Sequence, residues 1–328
     1  MKHLCILVPE GDCSLTNIEG THQIFTEINN FLVRTGKEPL FTIQLVALNN
    51  EPEMKKGFFK IHADAVIEEI TTTDLIIIPA LQGDVKKSLT MNQAFIPWLI
   101  KQYKQGAEIA SLCLGSFLLA STGLLTGKKC ATHWLAANDF RAMFPDVNLV
   151  TDKILTDELG IYSSGGAYSS LNLVLYLVEK YAGREMAILC SKIFQIEIDR
   201  NSQSAFMIFN AQKDHEDDAI RKVQEFIEQN VKDKITVDQL ATNVSVGRRN
   251  LERRFKQATS NTIVEYIQRV KIEAAKMSLE TSRENVNEVM YNIGYNDPKA
   301  FRITFKRITG LSPIEYRNKY NKNVRAIA

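Results

Sequence analysis

Short apolar runs and longer periodic segments alternate through the first 200 residues. Residues 4–8, 43–48, 75–78 and 109–112 are runs of four to six β-branched or leucine-rich positions bounded by polar residues, Gly or Pro. Such runs predict buried strands. Apolar positions at helical spacing predict helices over 18–34 and 94–105, and two more over 167–181 and 185–194 with Gly183 between them. Strands apolar on both faces, alternating with helices, predict a mostly parallel sheet covered on each side.

The pattern breaks over 200–217, where Asn201-Ser202-Gln203-Ser204 is followed by Lys213-Asp214-His215-Glu216-Asp217-Asp218. This divides the chain into an α/β domain over 1–200, a linker over 201–217 and a helical domain over 218–328. His215 among acids has no histidine partner at helical i, i+4 spacing, so a solvated connection is expected there and not a metal site.

After the linker every segment reads helical, and the pattern repeats. Phe255-Lys256 recurs as Phe305-Lys306, a shift of 50 that also brings Leu251 to Phe301, Glu265-Tyr266 to Glu315-Tyr316 and Thr262 to Ser312. Apolar anchors and polar companions that move together indicate two copies of one helical unit. In the first copy Thr236 caps a short helix with Gln239 at its third position, residues 243–246 turn, and a second helix starts near Gly247. Leu251 and Phe255, four apart, face inward, which leaves Arg249, Glu252, Arg253 and Lys256 on an exposed stripe beside Arg248. The second copy opens at Asn285 with Glu288 in the capping-box position and stops at Gly294. Asp297-Pro298 then starts its second helix as N-cap and N1. Phe301 and Phe305 turn inward, and Lys299, Arg302 and Lys306 stay outside. One long helix over 263–279 joins the copies. Basic stripes on equivalent helices suit phosphate grip and base reading in successive major grooves, and this predicts an all-α double helix-turn-helix domain.

Charge sharpens this division. The chain's net +2 conceals 21 Lys and Arg against 13 Asp and Glu from Asp218 onward, a net of +8, and 19 against 25 before it, a net of −6. One part is made for a polyanion and the other is not. A hydrophobic fraction of 45% and a charged fraction of 24% give an ordinary globular chain with a sizeable core. The N-terminal apolar run is too short for a signal peptide, no run spans a membrane, and five dispersed cysteines without CxxC spacing fit a reducing cytoplasm.

The run Leu240-Ala241, Leu251, Arg253, Phe255-Lys256, Tyr266, then Ile293-Gly294-Tyr295, Asp297, Phe301, Phe305-Lys306-Arg307, Gly310, Ser312-Pro313 and Tyr316-Arg317 resembles the AraC/XylS family of transcription regulators. The resemblance spans roughly 100 residues and implies base-contacting roles for Arg249, Glu252 and Arg253, then for Lys299 and Arg302. The sequence departs from the family at Gly247, where a capping Ser is usual, at Met290, Ser260 and Ile263, and at Ile303, which holds a frequent Arg position. Ile303 points to a second reading helix that positions more than it specifies.

In the N-terminal part, Ile109-Ala110-Ser111-Leu112-Cys113-Leu114-Gly115-Ser116 reads strand, tight turn, helix. Cys113 stands at the turn as a nucleophile stands on an elbow, with Gly115 permitting close approach. A thiol at a helix start is expected to have a lowered pKa, and Ala131-Thr132-His133-Trp134 can return a histidine to the same pocket. With Asp74, Pro79, Gly165-Gly166 and Gly183-Arg184-Glu185, this stretch resembles the ThiJ/PfpI-like (class I glutamine amidotransferase-like) domains, in particular those fused to AraC-type domains. That resemblance implies a flavodoxin-like sheet and a sensor of small nitrogenous metabolites. Hydrolysis would need a base, an orienting acid and an oxyanion hole around the cysteine. Leu114 follows Cys113 where peptidase members carry His, Ala80 follows Pro79 where a Gly usually supports a backbone N–H site, and apolar Trp134 follows His133. Neither Glu10 nor Glu19 is placed by spacing as the acid.

The leading expectation is therefore a non-enzymatic, cytoplasmic, ligand-responsive transcription regulator. Its expected partners are double-stranded promoter or operator DNA, a small-molecule effector at a pocket of Cys113, Leu114, His133 and Ala80, and a second copy of itself. RNA polymerase is a further partner this reading allows; no cofactor, metal or membrane is expected. A cysteine-dependent amidase with a DNA-targeting or dimerising helical tail is the alternative, and a redox sensor at Cys113 a third reading.

Overall fold

Seven strands form the central sheet of the N-terminal part, in the order β3-β2-β1-β4-β5-β9-β8. They are β1 (Lys2–Val8), β2 (Phe41–Ala47), β3 (Ala65–Val66), β4 (Leu75–Ile78), β5 (Glu108–Ser111), β8 (Leu155–Glu158) and β9 (Ile161–Ser164); β6 (Lys129–Cys130) and β7 (Asn148–Leu149) pair separately. All neighbours run parallel except β8, which pairs antiparallel with β9. The computed structural model describes residues 1–50, 61–198, 202–209 and 215–321.

The continuous apolar runs follow from burial on both faces. Along β1, Leu4 and Ile6 join a core with α1 (Leu15–Arg34), α6 (Ser170–Ala182) and α7 (Arg184–Ile193). Cys5 and Leu7 point the other way, into a core with Phe95, Trp98, Leu99, Phe117 and Phe140. Those residues belong to α3 (Phe95–Lys104), α4 (Gly115–Ser121) and α5 (Ala137–Met143), and α2 (Val85–Met91) precedes them in the chain. This is the flavodoxin-like arrangement of helices on both sides of a parallel sheet.

The chain separates into two compact units, Met1–Gln203 and Ser204–Ala328. Of the expected linker over 201–217, residues 201 and 210–214 lie outside the described residues, as do 200 and 322–328. The described parts are tied down at several points. Gln203 is buried in the first unit, where its Nε2 donates to Thr132 O and Lys153 O, each at 3.1 Å. In the second unit Lys276 Nζ donates to Met207 O at 2.5 Å, and the Phe209 N–H donates to Glu273 Oε2 at 3.1 Å. His215 is fixed too: its Nε2 lies 2.9 Å from Gln224 Oε1, and its Nδ1 accepts from the Asp217 N–H at 3.3 Å. Its neighbour Asp217 is the N-cap of the next helix, so this end of the expected solvated connection is tied to the start of α8.

From Asp218 on, the described second unit consists of helices and their short connections: α8 (Asp218–Gln229), α9 (Val237–Asn243), α10 (Arg248–Thr259), α11 (Ile263–Thr281), α12 (Val286–Asn292), α13 (Pro298–Thr309) and α14 (Pro313–Tyr320). Local chemistry sets its boundaries. Thr236, Thr262, Asn285, Asp297 and Ser312 each accept a backbone N–H at a helix start. Two cores lie along α11. Ile263, Tyr266 and Val270 pack with Leu240, Leu251 and Phe255, while Ile272, Ala275 and Leu279 pack with Val289, Phe301 and Phe305.

Candidate nucleic-acid interface and effector pocket

The repeat holds position by position on α10 and α13. Leu251 and Phe301, Phe255 and Phe305, and Thr259 and Thr309 are buried pairs at a shift of 50. Both threonines act as helix stops: Thr259 Oγ1 donates to Phe255 O at 2.7 Å and Thr309 Oγ1 to Phe305 O at 2.8 Å. The next residue is left-handed in each copy, Ser260 at φ 56° and Gly310 at φ 76°. The opposite faces are exposed, carrying Arg249, Glu252, Arg253 and Lys256 on α10, and Lys299, Arg302, Ile303 and Lys306 on α13.

Not all of these cations are equally free. Arg248 pairs with Asp238 on α9 at 3.1 Å and with Glu252 one turn along at 3.3 Å. An exposed pair of this kind costs little to break, so it presets the two side chains without locking them. Arg253 Nη2 donates to Asn250 Oδ1 at 3.1 Å. Arg254 leaves the stripe altogether and grips Asp217 through a two-pronged contact at 2.6 and 2.8 Å. That fork fastens the start of α8 to the back of α10, and the guanidinium holds the Asp217 carboxyl below the usual carboxylate range.

The elbow has the expected shape. Cys113 is left-handed at φ 53°, between β5 and α4. Gly115 is required by packing: a Cβ there would stand 2.5 Å from Ile78 O and 2.6 Å from Pro79 O. The chemistry is another matter. Cys113 is buried, and loss of hydration pushes its thiol up to about 12, against a smaller opposing effect from the Leu114 N–H. The expectation of a lowered thiol pKa is thereby overturned, since burial outweighs a helix start of two turns. All five cysteines are free and buried.

Leu114 is half-buried and packs on the core around Phe117. Ala80 has both backbone groups engaged, its N–H donating to Asn17 Oδ1 at 3.1 Å and its carbonyl accepting from Ser14 N at 2.9 Å. His133 is half-buried, caps a short turn through Nδ1 to the Leu135 N–H at 3.2 Å, and is shifted toward its neutral form by burial. No hydrogen bond joins His133 to the Cys113 sulfur among the described residues. The link is indirect: Thr132 Oγ1 donates to Cys113 O at 3.3 Å and accepts from Ser116 Oγ at 2.7 Å. Glu10 accepts from Asn49 Nδ2 at 2.5 Å.

Sequence reading missed several participants. Asn17, Ser164, whose hydroxyl accepts the Cys113 N–H at 3.4 Å, and Gln203 all brace the elbow. Gln203 fits because Gly165 lacks a side chain; a Cβ there would collide with its Nε2 and stand 2.7 Å from Thr132 O. A cavity of about 780 Å³ lies elsewhere in this unit, lined by residues including Ile18, Glu19, Gln23, Leu45, His62 and Tyr168. Among the described residues no cluster of three or more His, Cys, Asp or Glu could hold a metal, and no helix is long and apolar enough to cross a membrane.

Comparison with known proteins fits this geometry. Residues 31–180 match the DJ-1/PfpI family and residues 240–319 match a helix-turn-helix domain family. The chain is 25% identical to the HTH-type transcriptional regulator GbdR of Pseudomonas aeruginosa, over 86% of this chain and 76% of that protein. It is 24% identical to the HTH-type transcriptional regulator CdhR of the same species, over 85% of this chain and 82% of the relative. The crystal structure of an AraC family transcriptional regulator from Pseudomonas putida superposes with a TM-score of 0.50, at 15% identity, over 59% of this chain and all of that one, which supports the fold. That these relatives are named regulators agrees with reading the chain as no enzyme. The chain thus joins a DJ-1/PfpI-family domain to a helix-turn-helix domain, and over most of its length it is similar to HTH-type transcriptional regulators.

Proposed function

We propose that this regulator reads operator DNA chiefly through Arg249, Glu252 and Arg253 on α10, with Lys256, Lys299, Arg302 and Lys306 gripping the duplex. The observation that carries the reading is the match of exposed and buried positions on α10 and α13 at a constant shift of 50. Helices so matched present one kind of face twice, and α11 spaces them for successive turns of a major groove. Footprinting of a selected operator with the full chain and Arg253→Ala tests it. The variant should lose about tenfold or more of specific affinity and keep its non-specific binding. Undiminished specific protection would remove α10 from the assignment.

The N-terminal domain is the sensor, and its effector is a small nitrogenous metabolite bound at the elbow by His133 and the backbone around Cys113 and Leu114. The left-handed turn and the half-buried imidazole, which burial shifts toward its neutral form, support this placement. A second reading puts the same effector in the cavity of about 780 Å³, favoured by its volume, its apolar walls, and Glu19 and Tyr168 on its lining. A thermal-shift screen of small amines, amino acids and betaines decides between them. His133→Ala removes the shift if the elbow binds, and Glu19→Gln removes it if the cavity does. The active form is a homodimer, since paired reading units raise specificity. Sedimentation at micromolar concentration that finds monomer alone overturns this part.

A further inference from the structure

The reading face of α13 carries one side chain that its neighbours do not explain. Ile303 is 58% exposed, and on a helical wheel it lies opposite the buried ridge of Phe301, Phe305 and Thr309. Lys299 one turn before, Arg302 beside it and Lys306 almost a turn after are all exposed cations. Single exposed hydrophobics are common, and Val264, Tyr291 and Ile314 are others in this unit. What sets Ile303 apart is its position. The shift of 50 that superposes the buried anchors and the threonine stops places Ile303 where the first copy has Arg253. It therefore occupies the crest of the second reading helix.

A helix crest in a major groove faces the base edges, while its flanks face the phosphates. Lys299, Arg302 and Lys306, all on one side of Ile303 around the helix, and the exposed Arg307 on its other side have the length and charge for the flanks. A branched aliphatic group at the crest can neither donate nor accept a hydrogen bond. The base-edge feature in that groove which rewards apolar contact is the 5-methyl group of thymine. We propose that Ile303 is a specificity-determining residue that reads a thymine methyl in the half-site under α13. The second head thus discriminates by shape where Arg253 in the first discriminates by hydrogen bonding. This replaces the expectation that the second helix merely positions the protein, and it rests on the assignment of α13 as a DNA-reading helix.

Operator duplexes selected from random sequence with the full wild-type chain supply the test. Each thymine is replaced singly by deoxyuridine, which removes only the methyl, and affinities are measured for wild type, Ile303→Ala and Ile303→Val. At one or two thymines the replacement should weaken wild-type binding by about three- to fivefold, the worth of one buried methyl. Ile303→Ala should be indifferent to that replacement and Ile303→Val partly sensitive. Thymines under α10 should respond equally in all three proteins. Equal uracil sensitivity in wild type and Ile303→Ala, or none at any thymine, overturns the proposal. It is also overturned if Ile303→Ala keeps full operator affinity while losing transcriptional output, which would make Ile303 a protein-contact residue. If the wild-type chain selects no sequence at all, the DNA-reading assignment itself fails.

Discussion

Lys271 and Gly294 are fitted to each other at the junction of the two reading heads. The Lys271 ammonium donates to Ile293 O at 2.9 Å and to Asp233 O at 3.1 Å, reaching from α11 to the end of α12 and to the loop after α8. A Cβ on Gly294 would stand 2.8 Å from that ammonium and would also collide with the Lys232 carbonyl oxygen. Gly294 is left-handed at φ 73° as well, so both the space and the backbone demand glycine. Gly294→Ala should cost about 2 kcal/mol or more of stability, read by urea unfolding. Lys271→Met should cost about 1–3 kcal/mol through two carbonyls left without their donor. Stability within a few tenths of wild type for both would show the junction to be slack.

The flanking lysines should act without regard to sequence. Lys256→Ala and Lys306→Ala should each lower affinity for operator and random DNA alike. Each should also reduce the slope of log affinity against log salt by about one. A loss confined to the operator would make either lysine a base reader.

Asp217 supplies a pH test. Its fork with Arg254 holds its pKa below the usual 3.8, so the folded state binds fewer protons there than the unfolded chain. The stabilisation is fully present above the ordinary aspartate range and fades as pH falls through the depressed value. Asp217→Asn should therefore lower the urea midpoint of the DNA-binding unit near neutral pH. The gap between variant and wild type should narrow toward pH 3, and a gap independent of pH would mean that the carboxylate charge contributes nothing.

Cys113 should be unreactive in the native protein. A thiol pushed up to about 12 is almost wholly protonated at pH 8. Iodoacetamide labelling should run about a thousandfold slower than at a free cysteine and should accelerate on unfolding. Peroxide should leave DNA binding unchanged. Rapid native labelling of Cys113 would revive the redox-sensor and amidase readings.

Gly115→Ala tests the elbow as a packing unit. Its new methyl would press on two backbone carbonyls, which cannot swing away as a flexible side chain would. A loss of about 3 kcal/mol or more in the N-terminal unit is expected, with DNA contacts on α10 untouched. A near-neutral effect would mean that the β4 end moves aside.

The helical half was readable in the sequence because its boundaries are local chemistry. Asp297 and Pro298 start α13, Gly310 ends it, and Asn285 with Glu288 starts α12, all through residues within four positions of the helix ends they set. The long strands were readable because β1 and β4 are apolar on both faces. What escaped has no such signature. Strands of two residues, β3, β6 and β7, carry no period. The hairpin of β8 and β9 turns on Leu159 and Gly160, both at positive φ, where an Asn-Gly pair would have announced it. Gln203 sat in a stretch that reads as linker, and nothing local reports that its amide crosses to Thr132. The elbow thiol was misjudged for the same reason: a helix start is visible in sequence, but the burial that outweighs it belongs to the tertiary structure.

The division of α11 between two cores has a mechanical consequence. Each residue of a helix adds about 1.5 Å of rise and about 100° of rotation. Each base pair of a duplex adds about 3.4 Å and about 35°. One residue inserted between Val270 and Ile272 would swing the second head through the twist of about three base pairs while carrying it less than half the rise of one. On the proposed reading, with α11 lying along the duplex, no respacing of an operator matches that screw. The pitch of α11 then sets the half-site phase as a gear ratio, and this linking helix should change by substitution far more readily than by length.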